Sequence, residues 1–312
     1  MDVLRLTLRQ LQIFTAVAST GSTTAAGQQI SLSQSATSAA VKELERLLAL
    51  TLFDRVGKRL LLNDNGRSLL PRARALLDGA AGIESLARAG ATPLEDLRIG
   101  ASTTLGNYVL PRVLRIFLGD NVAPPPASWR SKIVIGNTAS VCAAVAGFEL
   151  DVGLIEGPCH LPTLRVQPWL RDQLVIVAAP GMVAHASSAS ARRPVNGLRD
   201  LVWLLREPGS GTREATDQLL LPRLHSFPRS LELASSEAIK HAAAEGLGIA
   251  CLSRWVVADL VAARRLQEIR TTLRGLSRQC YWIVHREKQR TAALDAFIDC
   301  LRSVAQDTAG TA

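Results

Sequence analysis

The 312-residue sequence has few of the features that mark secreted, membrane or metal-binding proteins. Its five cysteines are odd in number and widely spaced, without a C-x-x-C pair, which argues against a disulfide framework and a zinc ribbon. No stretch of 18 or more apolar residues occurs, and the N-terminus lacks the basic and apolar segments of a secretion signal. We therefore expect a cytoplasmic protein that does not enter a membrane.

What the sequence does contain is a large apolar fraction and an excess of positive charge. Apolar residues make up 47% of the chain and charged residues 20%, so the chain can bury sizeable cores in two or more domains. The 36 basic and 27 acidic residues give a formal charge of +9, which indicates a polyanionic partner. Residues 1–90 hold 11 basic and 7 acidic side chains, so their density of net positive charge is higher than that of the rest of the chain.

The N-terminal segment, residues 1–64, predicts three short helices and a hairpin. Apolar residues recur at helical spacing over 8–19, and capping serines introduce two more helices, 23–30 and 33–48. A very short turn joins the last two, so they predict a helix-turn-helix. Two apolar runs within 52–62 flank a glycine and basic residues, which predicts a wing with a basic tip.

A long helix is predicted within the next segment, residues 65–91. Its apolar residues alternate at spacings of four and three, which is typical of the seam between paired helices. These residues are Leu69, Ala73, Leu76, Ala80, Ile83 and Ala87. We interpret the segment as a linker and dimerisation helix; the alternative is a helix that packs on its own domain.

Strand-like and helical runs alternate through residues 92–312, which predicts an α/β domain with parallel strands. A single helix is expected over 105–117. A second series of strands and helices begins near residue 169, so two subdomains are expected. Subdomain I comprises 92–168 and 273–312, because a last strand and helix return to it, and subdomain II comprises 169–272.

Several stretches of the chain resemble the LysR-type transcriptional regulators. They are LRQLQIF at 8–14, SQSATS at 33–38, LFDR at 52–55, STTLGNYVLP at 102–111, GNT at 136–138, EPGSGTR at 207–213 and SSEAIK at 235–240. The second half looks like the family's periplasmic-binding-protein-like effector domain, in the branch that regulates sulphur assimilation or carbon dioxide fixation. The resemblance implies a winged helix-turn-helix, a dimerisation helix, a two-subdomain effector domain and homodimers that assemble into homotetramers.

The resemblance also implies that the third helix and the wing contact DNA. Glutamine can bond adenine, serine and threonine can bond either base edge, and basic residues at a wing tip suit the minor groove or phosphates. The candidates are Ser33, Gln34, Ser35, Thr37, Ser38, Lys42, Arg55, Lys58 and Arg59. Ala39 stands where family members often carry a polar reader, so base readout is lost there. The alternative is a serine cluster that only caps a surface helix.

Four predicted strand-to-helix junctions carry small hydroxyl or amide residues, which suit an anionic or polar effector at helix N-termini. The candidates are Ser102, Thr103, Thr104, Asn137, Thr138, Ser210, Gly211, Thr212, Arg213, Ser235 and Ser236. Gly209 and Gly211 would let backbone N–H groups approach the ligand, and Arg213 would add charge. Any one junction is equally explained as a simple cap. Hinges are expected near Pro168 and Thr272, and no cofactor or metal is expected.

The sequence also contains candidate residues for two other functions. An enzyme would need Glu156, His160 or Glu207 as acid or base, but no histidine lies at a nucleophile or metal spacing. A redox sensor would use Cys142 and Cys159, although free cysteines are more often small buried hydrophobes. We therefore expect a DNA-binding regulator and no enzyme. Its expected partners are promoter DNA, a small effector, further copies of itself and RNA polymerase.

Overall fold

The computed structural model describes residues 5–57, 59–85, 97–119, 133–182, 194–273 and 275–309. The chain divides into two compact units. The first comprises Met1–Ala91, Ala146–Glu149 and Glu287–Thr291, and the second comprises Thr92–Val145, Leu150–Arg286 and Ala292–Ala312.

The first unit contains the predicted helices and the predicted hairpin. Its elements are α1 (Leu8–Thr20), α2 (Thr23–Gln29), α3 (Gln34–Leu48), β1 (Phe53–Val56), β2 (Arg59–Leu62) and α4 (Asp64–Ser85). Helices α1 to α3 begin and end within one residue or so of the positions that spacing and caps predict. Leu11, Phe14, Leu44 and Leu52 are buried at its centre.

Caps and a glycine set the ends of the first two helices. Thr7 and Gln10 form a reciprocal capping box, with the Gln10 N–H donating to the Thr7 hydroxyl at 3.2 Å and the Thr7 N–H donating to the Gln10 side chain at 2.9 Å. Gly21 ends α1 in the left-handed conformation, with φ of 66°. The Ser22 hydroxyl then accepts from the Ala25 N–H at 3.4 Å and caps α2.

The apolar residues of α4 divide between their own domain and solvent. Leu69 and Ala73 pack against the core of the first unit, as the alternative interpretation expected. Leu76 and Ile83 are 55% and 71% exposed. The predicted seam is therefore unpartnered only in the later turns of α4. Ala87 lies outside the described residues.

The second unit is an α/β domain. Its strands are β3 (Ile99–Ser102), β4 (Ile133–Gly136), β5 (Val152–Glu156), β6 (Leu164–Ala178), β7 (Trp203–Leu205), β8 (Ser230–Glu232), β9 (Ala250–Ser253), β10 (Gln267–Glu268) and β11 (Ser277–His285). Its α-helices are α5 (Thr103–Tyr108), α6 (Leu110–Leu118), α7 (Thr138–Ala146), α8 (Gly211–Leu224), α9 (Ser236–Ala244), α10 (Arg254–Ala262) and α11 (Ala292–Ala309). A short 3₁₀ helix spans Val195–Leu198.

Strand pairing is mixed, so the expectation of parallel pairing is wrong for the long strands. Among the described residues, seven strands form one sheet in the order β10-β6-β11-β5-β3-β4, with β9 paired to β6. β3 pairs parallel with β4 and β5, as expected for strand-helix-strand units. β11 runs antiparallel to both β5 and β6, and β6 runs antiparallel to β9.

Strand β6 begins earlier than predicted. It is continuous over Leu164–Ala178, whereas the second series of elements was expected to begin near residue 169. Its first part pairs with β11 and its last part with β9. Pro168 lies beside an irregularity of register in β11, between Gln279 and Tyr281. Proline lacks an N–H for the ladder, and a bulge is one of the places where a strand tolerates it.

Two helices differ from the predictions. The helix expected over 105–117 is broken at Val109 into α5 and α6. Pro111 lies in the first turn of α6, where its missing N–H is harmless, but it would interrupt one continuous helix. α10 was not predicted.

The second unit has two apolar cores, one for each of the two series of strands and helices that the sequence predicts. The first core is built around β3, β5, α6 and α11, so the last helix packs on the core of the first series. The second core is built around the end of β6 together with β7, β9, α8, α9 and α10. No helix in the described part of the chain is long and apolar enough to cross a membrane.

Candidate functional site

Close packing fixes the turn between α2 and α3. A Cβ on Gly27 would lie 2.6 Å from the Leu32 carbonyl oxygen and 3.0 Å from the Thr37 hydroxyl. The Leu32 N–H donates to the Gly27 carbonyl at 2.8 Å. The Ser33 hydroxyl then accepts from the Ala36 N–H at 3.1 Å and caps α3. These contacts hold α2 and α3 in the tight arrangement of a helix-turn-helix.

Thr37 was predicted to contact DNA, but the structure buries its side chain. Its exposure is 0%, and its hydroxyl donates to the Ser33 carbonyl at 2.9 Å. It shares the buried face of α3 with Val41 and Leu44, four and seven residues on. A buried and internally bonded hydroxyl cannot reach a base edge, so Thr37 packs α3 onto its domain instead.

The opposite face of α3 presents the other candidates to solvent. The exposed or half-buried side chains there are Ser33, Gln34, Ser35, Ser38 and Lys42. The Gln34 amide donates to the Thr23 hydroxyl at 3.2 Å, and the hydroxyls of Ser33 and Ser35 lie 3.0 Å apart. The first turn of α3 therefore offers an ordered set of donors and acceptors.

The two basic residues of α3 differ in availability. Arg46 donates two N–H groups to the Glu43 carboxylate at 2.8 and 2.7 Å. Lys42 is exposed and has no carboxylate partner among the described residues. Lys42 can therefore meet a phosphate directly, whereas Arg46 must first leave Glu43.

The wing has the predicted form. β1 and β2 are antiparallel, their last pair is Val56 and Arg59, and the turn uses Gly57 with φ of 62°. Arg55 and Arg59 are exposed. Lys58 lies outside the described residues.

Three of the predicted effector residues, Ser102, Thr104 and Thr212, bond to the buried carboxylate of Glu156 at the end of β5. Its Oε1 accepts from the N–H groups of Thr104 and Leu105 at 2.8 and 3.2 Å and from the Ser102 hydroxyl at 3.0 Å. Its Oε2 accepts from the Thr212 hydroxyl at 3.3 Å. These donors hold an internal carboxylate in the way that helix N-termini hold a bound anion.

Arg278 of β11 balances this charge. Its guanidinium lies 2.7 Å from the carboxylates of both Glu156 and Asp172. It also donates to the hydroxyls of Thr104 and Thr212 at 3.2 and 2.9 Å. Burial alone would raise the pKa of Glu156, but the Arg278 charge and the hydrogen bonds outweigh burial and hold that pKa below its ordinary value. Glu156 is therefore ionised at neutral pH.

A second network brings together two further candidates. Buried Arg206, directly after β7, donates to both oxygens of the Glu207 carboxylate at 2.7 and 2.9 Å and to the Ser236 hydroxyl at 2.8 Å. The Asn137 amide donates to Glu207 at 3.1 Å. Asn137 and Ser236 are therefore linked indirectly, because Asn137 bonds to Glu207, Ser236 bonds to Arg206, and Arg206 and Glu207 bond to each other.

Gly209 and Gly211 lie close to other parts of the protein. A Cβ on Gly211 would lie 1.9 Å from the Glu156 carbonyl oxygen and 2.8 Å from the Thr138 hydroxyl. The Thr138 hydroxyl donates to that same Glu156 carbonyl at 3.0 Å. The Gly209 carbonyl accepts from the Ala139 N–H at 3.0 Å. The glycines thus let the start of α8 pack against β5 and α7.

Arg213 has its charge balanced elsewhere. Its guanidinium lies 2.9 Å from Asp217 and 3.3 Å from Glu232, and it also donates to the Arg206 carbonyl at 2.9 Å. The structure therefore gives no support to Arg213 as a free charge for a ligand.

Thr103 and Ser235 bond to the backbone. The Thr103 hydroxyl donates to the Gly136 carbonyl at 3.1 Å. The Ser235 hydroxyl accepts from the Ala238 N–H at 3.3 Å and caps α9. At these two positions the contacts show hydrogen bonds to the backbone, and at Ser235 the cap that was the alternative to an effector contact.

Ser210 precedes the 14-residue helix α8 and is only 3% exposed. Its hydroxyl makes no capping bond. Within the described residues, the N–H groups of Gly211, Thr212 and Arg213 also have no hydrogen-bond partner. Buried donors without partners are costly, and the positive end of the helix dipole favours a negative or polar group there.

Sequence reasoning did not single out Arg278 or Asp172, and it considered Glu156 only as a catalytic group. The signal that could have found Arg278 is its position in β11. Arg278, Cys280 and Trp282 alternate along the strand and are all buried. A charged residue at a buried strand position needs an opposite charge beside it.

The structure also describes the groups considered for an enzyme or a redox sensor. No set of three His, Cys, Asp or Glu side chains in the described part of the chain could hold a metal ion. His160 is exposed, and its ring lies 3.5 Å from the Glu214 carboxylate. All five cysteines are free. Burial, and after it a hydrogen bond to Cys159, raises the pKa of the Cys142 thiol, and burial raises the pKa of the Cys251 thiol to about 12. Raised thiol pKa values disfavour the reactive thiolate.

A winged helix-turn-helix joined to an α/β domain with a buried, donor-rich site defines a ligand-responsive DNA-binding regulator. Residues 8–67 match the model of the bacterial regulatory helix-turn-helix protein, lysR family, and residues 90–306 match the LysR substrate binding domain. The chain belongs to the LysR family of transcriptional regulators.

Its relatives are named as regulators, not enzymes. The chain is 47% identical over 301 residues to the uncharacterized HTH-type transcriptional regulator YeiE of Escherichia coli (strain K12), covering 95% of this chain and 97% of that protein. It is 27% identical over 303 residues to the RuBisCO operon transcriptional regulator of Allochromatium vinosum, with 97% of each covered. It is 29% identical over 295 residues to CysL of Bacillus subtilis, covering 94% and 96%. The expected branch of the family is confirmed.

Solved structures show the same architecture. Full-length OxyR from Pseudomonas aeruginosa superposes with a TM-score of 0.76 at 24% identity, covering 97% of this chain and 98% of that chain. The regulatory domain of Synechocystis CcmR, solved in complex with 2-PG, superposes with a TM-score of 0.58 at 29% identity, covering 68% and 97%.

Proposed function

We propose that the chain contacts promoter DNA with the exposed face of α3 in the major groove and with the wing beside it. The observation that supports this is the ordered polar first turn of α3, with Gln34, Ser35 and Ser38 presented outward while Thr37 anchors the helix. Lys42 and the wing residues Arg55, Lys58 and Arg59 contact phosphates or the minor groove.

The regulator acts as a homodimer that assembles into a homotetramer. The exposed Leu76 and Ile83 of α4 support pairing, because apolar side chains at this spacing are buried when two helices pack along their length. The proposed domains are 1–64 for DNA binding, 65–91 for dimerisation and 92–312 for the effector, with subdomains divided near residues 168 and 273. The protein works in the cytoplasm and acts on RNA polymerase at the promoter.

A small anionic or polar effector binds between subdomains I and II, with its negative group at the N-terminus of α8. The buried Ser210 hydroxyl and the unpartnered first-turn N–H groups of α8 carry this proposal. The complex of the CcmR regulatory domain with 2-PG supports a small ligand in this domain.

The neighbouring donors at the start of α5 constrain the effector further. Ser102, Thr104 and Leu105 already hold the Glu156 carboxylate, so an anion that uses them must displace Glu156. An anion beside Glu156 would otherwise meet its negative charge. A compact oxyanion at α8, or one that takes the place of the Glu156 carboxylate, fits these contacts.

Effector binding closes the cleft about Pro168 and Thr272 and changes how the paired dimers bend DNA. A ligand shifts such an equilibrium only by its difference in affinity for the two states. Ser210 and the donors of α5 come from opposite subdomains, so a ligand that touches both prefers the closed state.

Calorimetric titration with sulphite, thiosulphate and a phosphorylated sugar tests the site. Ser210→Ala is expected to weaken binding of the active compound at least tenfold, because a hydrogen bond to a charged ligand is worth about 1.5 to 3 kcal/mol. Ser230→Ala, on the exposed strand β8, is the control and should bind like the wild type. Equal affinity of Ser210→Ala and wild type for the compound that binds would refute this site.

A further inference from the structure

Tyr108, the last residue of α5, reaches from the first core to the second. α5 packs on the first core through Leu105, whereas the Tyr108 ring packs against the second core. The Tyr108 hydroxyl donates to the Glu237 carboxylate in the first turn of α9. Burial is the largest cause and this hydrogen bond the second largest cause that raise the pKa of Tyr108 to about 12. The phenol therefore remains a donor at neutral pH.

Glu237 is held in turn by a buried lysine. Lys240 is 3% exposed, and its ammonium lies 2.8 Å from the Glu237 carboxylate and 3.1 Å from that of Asp259 on α10. Burial alone would lower the pKa of Lys240, but the two carboxylates outweigh it and the pKa lies above its ordinary value. Lys240 therefore stays charged and fixes the acceptor of Tyr108.

The other end of α5 lines the proposed effector site. Its first-turn N–H groups, those of Thr104 and Leu105, donate to Glu156 at 2.8 and 3.2 Å. Thr104 and Tyr108 are separated by four residues, or about 6 Å along a helix. The Val109 N–H, next to Tyr108, donates to the Leu105 carbonyl at 3.0 Å, so backbone hydrogen bonding links the Tyr108 end of α5 to its first turn.

We propose that Tyr108 is a positioning residue for the effector site. Its bond to the Glu237–Lys240 pair holds α5 against the second core and so keeps the Thr104 and Leu105 donors aligned with Glu156. The importance of this contact for regulation rests on the proposed function, but the contact itself does not need the effector. The hydrogen bond between Tyr108 and Glu237 connects the two cores, in addition to the connection made by the long strands β6 and β11.

Hydrogen exchange of the full-length protein, without ligand or DNA, tests the proposal. Tyr108→Phe keeps the ring and removes the hydroxyl, and it is expected to speed exchange about tenfold at the amides of Thr104 and Leu105. Tyr281→Phe, which alters the other tyrosine of the chain, is the matched control and should leave these amides unchanged. Glu237→Ala removes the acceptor and gives a second variant with the same expected result.

The pattern of exchange separates positioning from a general structural role. Faster exchange confined to 236–244, with Thr104 and Leu105 unchanged, would overturn the proposal. Uniformly faster exchange through β3, β5 and β9 would also overturn it, because that pattern reports lost stability of the whole domain. Neither result bears on effector or DNA binding, so failure of this proposal is distinct from failure of the proposed function.

Discussion

The Glu156 carboxylate is held by side chains and N–H groups from separate parts of the effector domain. Ser102 and Thr104 come from the β3–α5 junction, Thr212 from α8 and Arg278 from β11. Removing one member of such a buried pair leaves a charge without its partner, which is far more costly than losing an exposed ion pair.

Glu156→Gln is expected to lower the free energy of unfolding at neutral pH by about 3 kcal/mol. Since the folded pKa of Glu156 is depressed, its carboxylate stabilises the fold above the unfolded pKa of about 4.3, and this contribution is lost as the pH falls through the folded pKa. Urea unfolding from pH 7 down to about pH 3 measures both effects. The variant should show the shallower loss of stability below about pH 4.3.

Glu245→Gln is the control for this measurement. Glu245 lies 2.7 Å from Arg265, but both side chains are largely exposed, so their loss should change stability little. If Glu156→Gln and Glu245→Gln have equal stability and equal pH dependence, the buried network does not hold the domain together as described.

At the scale of elements, α3 combines an anchored face with a free one. Lys42→Ala is expected to weaken binding to every DNA sequence alike and to reduce the slope of log affinity against log salt by about 1. Arg46→Ala is the comparison variant on the same helix, and its effect should be smaller because Arg46 is bonded to Glu43. Fluorescence anisotropy over a salt series measures both slopes. A larger change for Arg46→Ala would contradict this assignment.

Local patterns predicted the N-terminal elements well. Capping serines, Gly21 and helical spacing are short-range signals, and the structure keeps α1, α2 and α3 close to the predicted limits. The burial of Thr37 was not predicted, because its side chain faces Gly27 across a turn whose tightness depends on contacts between two helices.

Most differences between the predicted and the observed effector domain come from pairing between strands that are distant in sequence. The antiparallel run of β6 against β11 joins residues more than 100 positions apart, and alternation along one strand carries no information on its partner. The same applies to the site. Spacing located Ser102, Thr104 and Thr212 at helix starts, but it could not show that Glu156 and Arg278 fold in among them.

For the whole molecule, α4 is the element through which we propose that the copies pair. Leu76→Glu is expected to shift the protein toward monomers at micromolar concentration, because it places charge in the proposed apolar seam. Analytical ultracentrifugation measures the change. Leu161→Glu, at a leucine 40% exposed outside α4, is the control and should sediment like the wild type. Identical sedimentation of all three proteins would contradict pairing through α4.

The central claim is that one molecule couples a small ligand in the α/β domain to the way it holds promoter DNA. Footprinting on the protein's own promoter region, with and without sulphite, thiosulphate and phosphorylated sugars, tests this most directly. We expect a salt-sensitive footprint that shortens or shifts with one compound in the wild type and stays fixed in Ser210→Ala. A footprint that none of the compounds alters, or no footprint at all, would contradict it.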